Sequence, residues 1–479
     1  MRVCKLQAIV FVIILLVFSE SIIYFLSYQD SIKAVQFIGV LSIAVLVSLV
    51  RIDSKLFQQG RVFRLFLVFF FLFNFGQVIL LSLDNKEVCS QITSYGRFSY
   101  AAIFRASCYA LRTLIFIEFG RLLAFRDTQA NYSVFKTEDE ACEYSLRKLG
   151  FWLCIIAIPL DFINTFSVVS HALIYGYKAT YGNDYLKLGS SLSSIALYYL
   201  TGIYLLALAN KDNKKKTLLI LSYIVIRSSA LFLIGKRGAA VPMFIALLWF
   251  YFSVFGKEKI NVKRIILLII IGYIGLAASL AVFDIRNNPN MGFGDLVQNI
   301  SDSIVKFEVF SSSLMEFGGS LRPLLEVMRF IENGQMDCVN GLSYVFSLFG
   351  IIPSGLRGPI TDIGAQFNAV DVGIMLEKKV GLSYGIGYSL VAESYYNFGT
   401  YGFLTFIPFG FLLSNLFQPR ERNTSIANES QIAFISILFS LTLMSVRGTS
   451  ELLFKNIFYY YIIPMYLLRS IYEGVKGRS

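Results

Sequence analysis

The chain has little of the chemistry that most metal and nucleotide sites need. It contains one histidine, His171, and six cysteines without a CxxC pair, which excludes a histidine-rich metal centre and gives no support to a zinc site. A Mg²⁺ site built from carboxylates and water stays open. The GxxxxGK[ST] pattern and any soluble nucleotide-binding domain are missing, which argues against ATP and against a cytoplasmic activated-sugar donor. We therefore predict no cofactor and assign no residue as a metal ligand.

Charge is also scarce. Only 15% of the 479 residues are charged, whereas 56% are hydrophobic, a balance that would be unusual for a soluble domain. Apolar runs of about 20 residues, each long enough to cross a bilayer, recur along the whole chain. The sequence therefore predicts an all-α polytopic membrane protein. Its net charge of +12 indicates basic loops and not a nucleic-acid partner.

Hydropathy predicts about twelve transmembrane helices. Their expected starts lie near Gln7, Ile32, Phe63, Phe98, Leu149, Ser190, Thr217, Gly238, Ile265, Phe398, Gln431 and Leu452. With this count, five basic connections fall on the same side as the two termini: RIDSKLFQQGRVFR, RLLAFRDTQANYSVFK, KDNKKK, KEKINVKR and QPRERN. Because cytoplasmic loops carry the excess of Lys and Arg, we predict that both termini are cytoplasmic.

One external connection is exceptionally long. Residues 285–397 form a loop of roughly 110 residues, and loops of that length are functional or carry structure of their own. Helical spacing of Phe310, Leu314 and Phe317 indicates that part of it is helical. We expect a large cap on the outer face, within a single integral membrane domain, 1–479.

Several basic residues depart from the orientation rule. The turn GKRGA carries Lys236 and Arg237, and the turn VRGTSE carries Arg447; both fall on the outer face. Arg286, just past the ninth span, lies at a similar depth. Arginine can hold two phosphate oxygens at once, so these residues predict an anion site. The alternative is a solvated turn without a ligand.

Two further residues have ambiguous surroundings. Arg227 lies in the middle of a span and should face either a functional cavity or a buried ion partner. Glu393, in AESYYNFGTYGF, stands at the mouth of the tenth span and is a candidate general base. Its alternative is a structural pair with one of the arginines. Asp284 and Glu451 share that ambiguity.

Three segments carry a family resemblance. NGLSYVFSLFGIIPSGLRG, GYSLVAESYYNFGTYGFLTFIPFGFLL and, upstream, IGKRGAAV resemble the bacterial Wzy-type oligosaccharide repeat-unit polymerases of O-antigen or capsule. The resemblance covers roughly the region from Arg227 to Glu451. It implies a fold of the GT-C membrane glycosyltransferase type in the bacterial inner (cytoplasmic) membrane, with the active face periplasmic. It also implies an undecaprenyl-pyrophosphate-linked oligosaccharide substrate.

The resemblance implies transfer of a growing chain from its lipid pyrophosphate to a hydroxyl of a new lipid-linked unit. Glu393 would accept the proton of that hydroxyl, and basic groups would stabilise the leaving pyrophosphate. The residues predicted to bind substrate are Arg227, Lys236, Arg237, Arg286, Arg322, Arg357 and Arg447. Of these, Arg322 and Arg357 lie in the cap and contact either substrate or structure. Expected partners are membrane lipid, a chain-length regulator and a flippase.

Two other functions compete with polymerisation. An O-antigen ligase shares the expected fold and leaving group, but the catalytic histidine typical of ligases is not visible in the outer loop. A lipid-linked oligosaccharide flippase or other transporter needs gating on both faces, whereas the unusual charges and the long loop of this chain lie on one face. A non-catalytic scaffold would leave Arg227 without a purpose.

Overall fold

The computed structural model describes most of the chain as helices. The described residues are 5–27, 32–57, 60–83, 98–125, 139–175, 189–234, 236–256, 277, 308–381, 387–419 and 424–477. Within these ranges the ordered secondary structure is entirely helical. The expected all-α architecture is confirmed for this part of the chain.

Helices of the membrane region account for most of the structure. In chain order they are α1 Lys5–Ser27, α2 Ile32–Leu56, α3 Arg61–Ser82, α4 Tyr100–Leu123, α5 Glu140–Tyr175, α6 Ser190–Ala196, α7 Tyr198–Ala209, α8 Lys214–Leu233 and α9 Arg237–Phe255. The cap contributes α10 Glu308–Phe317, α11 Leu321–Glu332, α12 Leu342–Leu348, α13 Gly358–Gln366 and α14 Val372–Val380. The chain continues with α15 Leu390–Phe398, α16 Phe406–Phe417, α17 Ser425–Val446, α18 Ser450–Ile457 and α19 Ile463–Lys476.

Ten helical stretches of the described residues are long and apolar enough to cross a membrane, and they coincide with ten of the predicted spans. The chain is thus a polytopic membrane protein. The predicted ninth span, near Ile265, lies outside the described residues. The predicted twelfth is the helical run from α18 to α19, which a π-helix at Phe458–Ile462 interrupts.

The tenth span begins earlier than hydropathy predicts, at Leu390 and not near Phe398. The Ser389 side chain accepts a hydrogen bond from the Ala392 N–H at 3.1 Å and so caps the helix. Helix α15, a 3-10 helix at Gly399–Thr405 and α16 together form this span. Glu393 therefore lies inside the first turn of the span and not before it.

Helix α17 occupies the centre of the molecule. One side of it, with Ile435, Leu438 and Phe439, packs into a core shared with α1 to α4, the cap and α16. Another side, with Phe434 and Ile437, packs into a second core built by α5, α7, α8, α9 and α19. Because both sides are covered, α17 is buried along nearly its whole length. Its end at Val446 fixes the position of the residues that follow.

Two glycines allow α4 and α16, part of the span that carries Glu393, to pack in close backbone contact. A Cβ on Gly120 of α4 would lie 2.0 Å from the Ile407 carbonyl oxygen, and one on Gly410 of α16 would lie 2.0 Å from that of Ile117. Small residues permit such backbone contact between membrane helices. Nearer the start of both helical segments, the hydroxyls of Tyr109 in α4 and Ser394 in α15 lie 2.8 Å apart. Helix α4 thus anchors both halves of the span.

Candidate active site

Glu393 is the centre of a buried polar network. The residue is only 1% exposed. Oε2 accepts a hydrogen bond from the Ser450 N–H at 2.7 Å, and Oε1 accepts from the hydroxyls of Ser450 at 2.7 Å and Ser343 at 3.1 Å. All three donors are neutral. Buried carboxylates are ordinarily paired with a cation, and among the described residues Glu393 forms no such pair.

Further hydroxyl and amide groups hold the donors in place. The Asn397 side-chain N–H donates to Ser343 Oγ at 2.6 Å and to the Glu393 carbonyl at 2.8 Å. The Ser450 and Ser347 hydroxyls lie 2.8 Å apart. Ser450 is the first residue of α18, where the backbone N–H groups of a helix are free to donate. The carboxylate is therefore fixed by three separate elements: α12, α15 and α18.

A buried phenol lies near the carboxylate. Tyr388 is 4% exposed, and its hydroxyl has no hydrogen-bond partner within the described part of the chain. Burial raises the pKa of Tyr388 well above its usual range, and the Glu393 carboxylate raises it further. The phenol thus stays protonated and keeps a hydrogen bond to offer. A catalytic role is one explanation for such an unsatisfied buried group.

An apolar groove of about 280 Å³ adjoins this network. Its wall includes Tyr344, Leu390, Phe406, Phe409, Ser450 and Phe454. Ser450 therefore contacts both the groove and the Glu393 carboxylate. The groove has the apolar lining that is usual for small-molecule sites.

The structure places Arg447 beside the first turn of α9, the helix that Arg237 begins. The Arg447 guanidinium carbon lies 5.6 Å from the centre of the Phe73 ring. Its Nη1 lies 3.8 Å from the position that a Cβ on Gly238 would take, beside the first turn of α9. Arg237, the neighbouring residue, is 5% exposed and forms an ion pair with Glu316 of the cap helix α10. The predicted anion site thus includes a cap carboxylate that sequence reasoning missed.

The remaining basic residues of the prediction have different surroundings. Arg357 forms an ion pair with Glu451. Glu451 directly follows Ser450, which donates a hydrogen bond to Glu393, so Arg357 lies close to the candidate base. Arg322 is half-buried in the first turn of α11. Lys236 precedes α9 as its N-cap residue. Arg286, like Asp284, lies outside the described residues.

Arg227 is held in a buried ion pair. Its Nε donates to both oxygens of Asp161, at 2.9 and 2.8 Å, and its guanidinium carbon lies 4.8 Å from the centre of the Tyr199 ring. The Tyr223 hydroxyl donates to the same carboxylate at 2.9 Å. About 9 Å of helix rise separates Arg227 from the end of α8 at Leu233, so it lies deeper than the turn that follows. This geometry matches the ion-pair alternative, while a role in substrate binding stays a prediction.

We expect Asp161→Asn to destabilise the protein by about 3–5 kcal/mol, because the Arg227 charge would stay buried without a partner. The measurement is the midpoint of thermal unfolding in detergent. The double variant Asp161→Leu with Arg227→Met should recover most of that stability, since replacing both members of a buried pair is often neutral. Glu473→Gln, which breaks the exposed pair with Arg469, should change little. An active, stable double variant would assign Arg227 to structure, whereas an inactive one would support substrate binding.

Some of the residues that sequence reasoning missed carry a recognisable sequence signal, and others do not. Asp161 is an ionisable residue inside a span, so the rule that singled out Arg227 also applies to it. Ser450 stands at the start of a predicted span, where a serine often caps a helix. Ser343 and Glu316 carried no local signal that distinguishes them from other cap residues.

Comparison with known proteins decides the family. The sequence model described as O-antigen polysaccharide polymerase Wzy matches residues 8–475, nearly the whole chain. The chain belongs to this family. It is therefore a multi-pass membrane enzyme and a glycosyltransferase of polysaccharide biosynthesis, as the cap and tenth-span motifs indicated. Protein CapE of Staphylococcus aureus is 26% identical over 404 residues, which cover 80% of each chain. No solved structure matches.

Proposed function

We propose that the enzyme joins undecaprenyl-pyrophosphate-linked oligosaccharide repeat units into a surface polysaccharide, O-antigen or capsule. The reaction takes place at the periplasmic face of the cytoplasmic membrane, with both termini of the chain cytoplasmic. The observation that carries this proposal is the buried Glu393 carboxylate, which is held by neutral donors beside an apolar groove. The family match to Wzy polymerases supports it.

Glu393 acts as the general base in this proposal. It accepts the proton of an acceptor hydroxyl while the hydroxyl oxygen bonds to the anomeric carbon of the growing chain. The bond between that carbon and the pyrophosphate oxygen breaks, and undecaprenyl pyrophosphate leaves. The Tyr388 phenol offers a further hydrogen bond near the reacting groups. The apolar groove holds part of the polyprenyl chain.

Arginine side chains stabilise the leaving group. Arg447, which lies beside the first turn of α9, and Arg237, which begins that helix, receive the charge that grows on the pyrophosphate. Glu316 orients Arg237 through their ion pair. Arg357 lies near Glu393 through the Glu451 pair and contacts the sugar–phosphate region. Lys236, Arg286, Arg322 and Arg227 remain predicted contributors to substrate binding.

A surface-polysaccharide gel on a deletion strain tests the function. We expect the ladder of long chains to collapse to acceptors that carry a single repeat unit, and wild-type complementation to restore it. Loss of every unit, including the first, would contradict polymerisation and point to a ligase or flippase. An unchanged ladder would contradict all three.

A further inference from the structure

A polar cavity of about 430 Å³ lies between the cap and α15. We call it the amide cavity, because four side-chain amides line it. Its wall includes Gln335, Asn340, Gln366 and Asn368, together with Asp337 and Phe367. The volume falls within the range of about 300–1,000 Å³ that is usual for small-molecule sites. Nothing in the proposed chemistry at Glu393 uses it.

The backbone around the amide cavity is held in a fixed, uncommon conformation. Asn340 has a φ of 49° and Asn368 a φ of 52°; both lie in the left-handed region, which asparagine adopts more readily than most residues other than glycine. Helix α15 braces both: the Asn340 N–H donates to the Asn397 carbonyl at 2.9 Å, and the Tyr396 hydroxyl donates to the Asn368 carbonyl at 2.9 Å. The cavity is therefore preorganised, which lowers the cost of binding.

The lining groups suit the hydroxyls of a sugar. Each side-chain amide both donates and accepts hydrogen bonds, as a hydroxyl does. The Phe367 ring is 54% exposed and offers an apolar face for a sugar ring. One carboxylate, Asp337, and one ammonium, Lys379, face the cavity, so their charges balance. Among the described residues that line it, none is an arginine, which argues against a phosphate ligand.

Helix α12 joins the amide cavity to the candidate base. Leu342 lines the cavity, the next residue Ser343 donates to Glu393, and Tyr344 lines the apolar groove. Glu393 thus lies between an apolar groove and a polar cavity. A lipid-linked oligosaccharide likewise consists of an apolar lipid and a polar oligosaccharide.

We propose that the amide cavity binds sugar residues of the repeat unit and so positions its reacting end at Glu393. The inference rests on the proposed function, since it takes the repeat unit as the ligand. Two sources share this chemistry: the incoming unit and the growing chain. Both present the same polyhydroxylated surface.

Binding of lipid-free oligosaccharide to the purified full-length protein in nanodiscs tests the inference. The probes are fragments of one repeat and of several repeats, released from the polysaccharide of the source strain, and Kd is measured by titration calorimetry. We expect Phe367→Ala and Gln366→Ala each to raise Kd at least about tenfold, which corresponds to one lost contact of about 1.4 kcal/mol. The matched control is Ile363→Ala, which removes an equally exposed apolar side chain of α13 outside the cavity and should leave Kd unchanged.

The outcomes separate the inference from the proposed function. Binding of the single repeat assigns the cavity to the incoming unit, while binding of only the longer fragments assigns it to the growing chain. Glu393→Gln should bind either probe as the wild type does, although it polymerises far more slowly. If neither probe binds, or if both cavity variants bind like Ile363→Ala, the inference is wrong even where Glu393→Gln abolishes polymerisation.

Discussion

Glu393→Gln is expected to slow polymerisation by about 10²- to 10⁴-fold, the usual contribution of a general base. The amide has nearly the shape of the carboxylate and can still accept the Ser450 N–H, but it cannot take up a proton. The measurement is the rate of chain growth from lipid-linked repeat units by purified enzyme. The thermal midpoint of the variant should stay near that of the wild type.

Glu332→Gln serves as the control for Glu393→Gln. Glu332 is a cap carboxylate that pairs with Arg105 where both side chains are largely exposed, so its neutralisation should leave the rate unchanged. Wild-type polymerisation by Glu393→Gln would remove Glu393 as the base. Equal losses in the two variants would indicate a general dependence on cap charge instead.

Hydropathy predicted the membrane region well because each span satisfies its own backbone and needs only local sequence to be recognised. The excess of basic residues in the cytoplasmic loops then predicted that Lys236, Arg237 and Arg447 lie together on the opposite face. The contact of Arg447 with the turn of α9 agrees with that reasoning. What hydropathy cannot provide is the partner of each charge, as Glu316 shows.

The surroundings of Glu393 could not be predicted from local patterns. Its donors Ser343 and Ser450 lie 50 and 57 residues away along the chain, and serine is common throughout the cap. Only the packing of α12 and α18 against α15 selects these two. Asp161 is a different case, because it and Arg227 are opposite charges inside spans, a pattern that by itself indicates a buried pair.

Arg447→Ala is expected to abolish long chains, with a loss in rate of about 10²- to 10³-fold, as for removal of one preorganised donor to a developing anion. Arg447→Lys should recover only part of the rate, because an ammonium cannot hold two oxygens as a planar guanidinium does. Arg105→Ala, which removes an exposed arginine paired with Glu332, should leave chain length unchanged. The readout is the length distribution on a polysaccharide gel, with membrane insertion measured in parallel.

Variants of Arg237 and its partner Glu316 distinguish stabilisation of the pyrophosphate from a purely structural ion pair. Glu316→Gln removes the negative partner of Arg237 but keeps the positive charge, so polymerisation should be retained better than in Arg237→Ala. A structural ion pair would give similar losses in Glu316→Gln and Arg237→Ala, because loss of either partner would then destabilise the turn. Loss of long chains in Arg237→Ala and Arg447→Ala, with Glu316→Gln active, fits stabilisation of the pyrophosphate. Normal chain length in both arginine variants would rule it out.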